Sequence, residues 1–347
     1  RLPKLTTLIV QQMVTANLAE GNMDDLTSYA RELREAGSVS LGSSRSVIVL
    51  MNAAEALDAA AKKRAAEGQL LKSLRCVREA TLLWAALADP KVIAVNHVSG
   101  RVEEVRLARV TRQAEMLRLE GNIAARRGLY EEARAMYEKA IGLYDGIAAA
   151  EGASVVEIEL AAALLASGDA DRTLTRTASA QKRIGLEGNS VVRARNYLVQ
   201  AQARLTQGRL AKAYGNVTYA LKVLRDGGGA DSAKELRASL HLVAATVLDA
   251  SGQPMAGAER SAYALTLDPT NPAVVRAAVI GRLATGDVEG ALAAIKPLAT
   301  TRYAQTAIIF QGCALVASNR TEEGVAMLAA LVPQMTLPHR IRDNRSL

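Results

Sequence analysis

Aromatic side chains are scarce in this sequence, at 3% of 347 residues with a single Trp and a single Phe. A core without them must be filled by Ala, Leu, Val and Ile at close range, which suits helix packed on helix. Segments with turn signals every ten residues are also missing, which argues against a β-sandwich or barrel. The two cysteines, Cys76 and Cys313, lie far apart and each falls within a helical pattern, so they do not read as a disulfide framework. The three histidines, His97, His241 and His339, share no ligand spacing with them, and neither HExxH nor CxxC occurs. We therefore expect no metal and no cofactor. No run of about eighteen apolar residues is present, so no transmembrane helix is expected.

Catalytic signatures are missing in the same way. There is no GxxxxGK[ST] loop to cradle phosphate and no GxSxG elbow. The Gly227-Gly228-Gly229 run has no strand before it, and it reads as a mobile linker rather than a phosphate site. Cys76 and Cys313 read as core cysteines. The acid pairs Glu103-Glu104 and Glu131-Glu132 read as solvated helix faces. The chain is expected not to be an enzyme.

The formal net charge is +8. A basic balance can serve nucleic acid or anionic lipid, but the basic residues are spread along the chain with acids beside most of them. Only Lys62-Lys63-Arg64, the Arg101–Arg112 stretch and the tail HRIRDNR look locally positive. Arg106, Arg109 and Arg112 recur every three residues and so share one helical face that could follow a phosphate backbone. No aromatics are interleaved to stack bases, and Glu103, Glu104 and Glu115 are close enough for pairing within the helix. An internally paired, solvated face is the better reading, and nucleic acid is not the expected partner.

The most informative stretch is Ala114 to Tyr144. Met116, Leu117, Gly121 and Ala124 recur at three- and four-residue spacings, which places them on one helical face. Gly128 breaks the helix, and Ala133, Tyr137, Ala140 and Ile141 then form the stripe of a second helix. The small residues Gly121, Ala133 and Ala140 let neighbouring helices approach closely. Similar breaks occur at Gly21, Gly68, Gly168, Gly208, Gly252, Gly286 and Asn319. Seven residues before each turn stand Val14, Ala61, Gly121, Ala161, Ala201, Ala245, Val279 and Gly312. Six of these eight are Ala or Gly, where composition predicts about two. Twelve residues after each turn stand Leu33, Ala80, Ala140, Ala180, Ala220, Ala264, Leu298 and Leu331. The turn-to-turn spacings are 47, 60, 40, 40, 44, 34 and 33 residues.

The segment GLYEEARAMYEKAI resembles the turn and second helix of a tetratricopeptide repeat, and ALTLDPTNPAVV at 264–275 is a second resemblance, with Pro269 ending one helix and Pro272 starting the next. The last two spacings match that family's period of about 34, and the longer ones suggest extended helices or connections. The resemblance implies an all-α, right-handed superhelical solenoid of about eight antiparallel helix pairs, wound around a concave inner surface lined by first helices. Residues 1–36 would form a first helix pair and 47–86 a second. Residues 101–332 would form one continuous superhelix, and 333–347 a C-terminal tail. Linkers are expected at 37–46 and 88–100, with an unbroken helix from Arg101 to Arg127.

Function follows from the resemblance too. Such repeats bind partner proteins or peptides in the groove, so the expectation is a non-catalytic scaffold or adaptor, a subunit of a larger assembly, and the Ala- and Arg-rich composition suggests a bacterial source. If the family's pattern holds, Arg118 and Asn122 face the groove in the unit turning at Gly128, and Arg195 and Gln202 in the unit turning at Gly208. Val155 and Ile158 would give an apolar floor between them. Arg118, Asn122 and Arg195 match places where some family members grip a partner's terminal carboxylate. Glu159 and Val199 depart from that pattern, and Glu159 would repel a carboxylate, which points to a partner of mixed polarity. A ligand- or peptide-sensing domain of a regulator is the alternative, with a basic nucleic-acid-binding solenoid behind it. The chain opens with Arg1 rather than Met, as a processed form or a fragment would, and cytoplasm and periplasm both fit its few cysteines.

Overall fold

In a computed structural model, residues 12–13, 16–17, 22–35, 44–96, 102–228 and 233–331 are described. The expected turn at Gly21, its partner Val14, Gly229 and the tail 333–347 lie outside them, as do His97, His339 and most of the linker 37–46. Among the described residues the regular structure is helical throughout. The chain divides into two compact units, Arg1–Gly188 and Asn189–Leu347. That division falls inside the span 101–332, which the sequence presents as one run of repeats.

The first unit contains α1 (Met23–Glu35), α2 (Ser44–Ala66), α3 (Leu70–Leu87), α4 (Pro90–Asn96), α5 (Val102–Arg126), α6 (Tyr130–Gly146), α7 (Ala150–Ala166) and α8 (Ala170–Ile184). The second contains α9 (Ser190–Thr206), α10 (Leu210–Asp226), α11 (Lys234–Ala250), α12 (Pro254–Leu267), α13 (Pro272–Ala284), α14 (Val288–Ile295), a 3₁₀ turn (Lys296–Thr300), α15 (Ala304–Ala317) and α16 (Thr321–Ala329). In the first unit α2 pairs with α3, α5 with α6 and α7 with α8. In the second, α9 pairs with α10, α11 with α12, α13 with α14 and α15 with α16. First helices also touch along each unit, α2 with α5 and α5 with α7 in the first, α9 with α11 and α11 with α13 in the second.

One closing device recurs at the turn inside each of these seven helix pairs. Gly68, Gly128, Gly168, Gly208, Gly252, Gly286 and Asn319 all have φ between 63° and 92°. The amide after each donates to the carbonyl five residues upstream, as in Leu129 N–H to Ala124 O at 3.0 Å and Asp169 N–H to Leu164 O at 2.9 Å. This bond satisfies a carbonyl that the helix end would otherwise leave open, and it needs a left-handed residue, for which glycine carries no steric cost. The seven predicted turns within the described residues are all of this kind. Helix starts are marked as well. Asp169, Asn189, Asn271 and Asp287 cap their helices with side-chain oxygens, and Pro272 occupies the first turn of α13.

The long spacings have two sources. Where turns are 40 residues apart, α6 and α7 each have 17 residues, whereas α12 and α13 have 14 and 13 in the 34-residue unit. The 60-residue spacing holds the 25-residue α5 and the short α4, which sits in the interruption at 88–100.

The residues at the small positions from Ala61 onward are buried, including Ala61, Ala161, Ala201, Ala80, Ala180 and Ala220, each fully so. Ala133 and Ala140 are also fully buried, packed with Tyr137, Ile141 and Leu160 in one core of the first unit. Gly121 is there because a ring is against it: a Cβ at that position would lie 2.7 Å from Tyr137 Cε1. Each fully buried Leu, Ile, Val or Met side chain contributes about 1.5–3 kcal/mol, and the tight approach at the small residues is what makes that burial complete.

Candidate partner-binding surface

In the first unit the consecutive first helices α2, α5 and α7 carry a row of charges. Lys62 pairs with Asp58 at 2.8 Å one turn away and reaches Glu115 of α5 at 3.8 Å. Arg112 of α5 pairs with Glu115 at 3.2 Å and reaches Asp58 at 3.8 Å. Arg118 of α5 then donates from Nε and from an Nη to the two carboxylate oxygens of Glu159 on α7, both at 2.8 Å. Parallel bonds of this sort fix geometry as well as charge. Burial alone would lower the Arg118 guanidinium, but the hydrogen bonds and charge of Glu159 outweigh it and hold it above its ordinary value.

Two tyrosines from α6 stand beside this pair. The Tyr137 hydroxyl donates to Asn122 Oδ1 at 2.6 Å. Burial first, and then the charge of Glu159, pushes that hydroxyl well above the usual tyrosine range. Tyr144 is raised by burial and by Glu115. The site is thus a linked set of charges and hydroxyls, with no nucleophile held against a base.

The expected groove residues take different places. Arg118 is held by Glu159, so the departure from the carboxylate-gripping pattern is also Arg118's partner. Asn122 uses its oxygen on Tyr137. Val155 is half-buried on α7, whereas Ile158 is 1% exposed and packs beneath the surface instead of offering a floor. Arg195 and Gln202 lie on α9 in the second unit, seven residues apart on one helical face, Arg195 exposed and Gln202 half-buried.

The basic stripe of α5 is largely occupied. Arg106 is bound to Glu103 through two bonds of 2.6 and 2.9 Å. Arg109 is not solvated: it is 4% exposed, donates to Leu87 O at 2.6 Å, and burial lowers its guanidinium. A recess on the second-helix side, between α6 and α8, shows the same economy of charge. Its arginines each have a carboxylate: Arg134 with Glu131 at 2.7 Å, Arg172 with Asp169 at 3.3 Å, Arg176 with Glu138 at 2.9 Å.

Other pairs are legible only in three dimensions. Glu79 of α3 is 2% exposed and receives Arg31 and Arg34 of α1 at 3.3 and 3.2 Å. Glu157, also buried, meets Arg183 of α8 at 3.2 Å. A different arrangement holds on α9 and α10, where several cations lack such partners. Counting charges helix pair by helix pair, instead of along the whole chain, would have exposed it.

No protein-family model matches the sequence, and no curated protein matches it. Solved structures do. Yeast Tom70 superposes with a TM-score of 0.52 at 14% identity, over 90% of this chain and 63% of Tom70. A Rap protein complexed with Competence and Sporulation Factor gives 0.52 at 11% identity, over 94% of this chain and 97% of that one. A STAND protein with a tetratricopeptide repeat sensor, from Pyrococcus horikoshii, gives 0.51 at 13% identity, over 88% of this chain and 48% of that one. The chain has a tetratricopeptide-repeat-like fold. At these identities the likeness is one of fold, and it agrees with the turn geometry and the buried small positions of each helix pair. No helix among the described residues is long and apolar enough to cross a membrane.

Proposed function

We propose that this tetratricopeptide-repeat-like protein is a non-catalytic interaction scaffold that binds a partner protein or peptide on its first-helix face. The observation that carries this reading is the row of opposite charges from Asp58 to Glu159 across α2, α5 and α7. Partly exposed ion pairs of this kind add only about 0–1 kcal/mol each to stability, so the row is poorly explained as a stabilising device. It does suit recognition, because alternating charges set register and reject mismatched partners. The fold supports the same reading, since the Rap structure contains Competence and Sporulation Factor and the Pyrococcus domain is a sensor.

On this proposal Arg118, Glu159, the Asn122 amide and Val155 contact the partner in the first unit, and Arg195 and Gln202 do so in the second. Ile158 supports Val155 from below. The partner segment is extended or helical and carries both charges, because each cation of the row has an acid beside it. The test is capture of a mass-spectrometrically identified partner by the full chain and by Arg118→Ala/Glu159→Ala. Removing both members avoids leaving a lone charge. Capture of that partner should fall at least tenfold with the helical circular dichroism unchanged. Equal capture by the double variant would move the binding surface elsewhere.

A further inference from the structure

The positive charge of this protein is concentrated in one helix pair. The second unit, Asn189–Leu347, has 18 Lys and Arg against 11 Asp and Glu, so it holds +7 of the chain's +8. Within it the α9–α10 pair, Ser190–Asp226, has seven basic residues and one acid, Asp226. Its net charge is therefore +6.

Most of these cations lack the carboxylate partners that Lys62, Arg112 and Arg118 have in the row on α2, α5 and α7. Arg195, Arg209, Lys212 and Lys222 are exposed and make no ion pair among the described residues. Arg225 has only its exposed neighbour Asp226, at 3.5 Å. Unbalanced like charge on one hairpin raises the energy of the folded state, and among the described residues the acceptors of Arg193 and Arg204 are the neutral Tyr219 hydroxyl and Asn216 Oδ1. The natural compensation is an anionic ligand.

The outer face of α10 shows what kind. Lys212, Tyr219 and Lys222 are exposed along one stripe, with the small Gly215 and Thr218 exposed between them. Tyr219 is the one large exposed apolar side chain on the described hairpin, at 40%. Its ring is already engaged edge-on with Tyr197, centroids 4.7 Å apart, and its hydroxyl accepts from Arg193 at 3.5 Å. A single committed aromatic does not make a run of base-stacking platforms. No other large apolar side chain of the hairpin is exposed, which leaves an amphipathic helix little to bury. What is left is a set of guanidinium and ammonium groups over small residues, which complements closely spaced carboxylates.

We propose that the α9–α10 hairpin is a docking surface for an extended acidic segment, rich in Asp and Glu, of a partner protein. This rests on the scaffold reading above and names a second place where the partner is held. Attraction at such a site is long-ranged and screened by salt.

The probe is a fluorescein-labelled sixteen-residue peptide of alternating Glu and Ser, titrated with the full chain by anisotropy. Binding should be measurable at 50 mM NaCl and weaken at least tenfold at 300 mM. The variant Arg209→Ser/Lys212→Ser/Lys222→Ser alters only exposed side chains, and it should bind at least tenfold more weakly while melting at the parent temperature. Peptide affinity unchanged in that variant would overturn the assignment. A single-stranded oligonucleotide of the same net charge that binds more than tenfold tighter than the peptide would also overturn it, in favour of nucleic acid. If the peptide is ignored while Arg118→Ala/Glu159→Ala still abolishes capture of the identified partner, this surface is wrong and the scaffold reading stands.

Discussion

Arg118 on α5 and Glu159 on α7 face each other across two consecutive first helices through two hydrogen bonds of 2.8 Å. Their side chains are 35% and 17% exposed, so the pair is partly withdrawn from water. Removing one member strands the other. Arg118→Ala should therefore destabilise the protein by roughly 1–3 kcal/mol, since an unpaired, half-buried carboxylate is costly. Glu159→Ala should cost a similar amount, and the double variant less than the sum of the two. Urea denaturation of the three variants gives the coupling directly. Additive losses would mean that the two side chains do not act as a pair in solution.

A second prediction concerns close packing. Gly121 leaves no room for a Cβ, which would lie 2.7 Å from the Tyr137 ring, and Ala133 and Ala140 are fully buried nearby. Gly121→Ala should force the ring aside and strain its hydrogen bond to Asn122. Ala133→Leu and Ala140→Leu should overpack the same core. Each should cost about 1–3 kcal/mol. Melting temperatures equal to the parent in all three would remove the basis for this register of small residues.

The turns and the small positions were readable from sequence because each demands a particular residue. A left-handed backbone selects Gly or Asn, and a helix contact at close range selects Gly or Ala. Charge pairing is harder to read, because Arg118 and Glu159 are 41 residues apart and nothing local joins them. The groove reading placed both residues on first helices but treated Glu159 as a departure from a pattern, when it is the partner of Arg118. Ile158 shows a related difficulty. The α7 sequence is apolar on nearly all sides, so periodicity alone cannot say which apolar residue is covered. The turn between α6 and α7 was missed for another reason: its left-handed residue is Ala148, with φ 55°, and no glycine marks it.

That turn carries the third prediction. Ala148 has the same closure as the glycine turns, with Ala149 N–H donating to Tyr144 O at 2.9 Å. A left-handed alanine costs roughly 1–2 kcal/mol, which glycine avoids, although glycine also gains freedom in the unfolded chain. The first effect should win, so Ala148→Gly should stabilise by about 0.5–1 kcal/mol. Gly128→Ala, at φ 76°, should destabilise by about 1 kcal/mol. Both changes are read from denaturation midpoints, and opposite signs at the two sites are the expected result.

The last prediction is a dependence on pH. His241 of α11 is 6% exposed, and its ring meets Tyr263 of α12 edge-on, centroids 4.7 Å apart. Burial lowers its pKa to about 4, and Arg260 on α12 and Arg237 on α11 push in the same direction. The unfolded chain takes up this proton near the ordinary histidine value of about 6.5, whereas the folded chain resists it until about pH 4. Between those values the unfolded state binds more protons, so stability falls as the pH is lowered through the window. It is fully retained above about pH 6.5. At about 1.4 kcal/mol per unit the loss attributable to this residue approaches roughly 3 kcal/mol near pH 4. His241→Phe keeps an aromatic ring against Tyr263 and removes the titration. Urea midpoints at pH 7.5, 6, 5 and 4.5 should therefore diverge, the parent losing more stability than the variant at each step down. His97 and His339 are present in both proteins and cancel in the difference. Parallel profiles across that range would show that His241 is not held neutral by its surroundings.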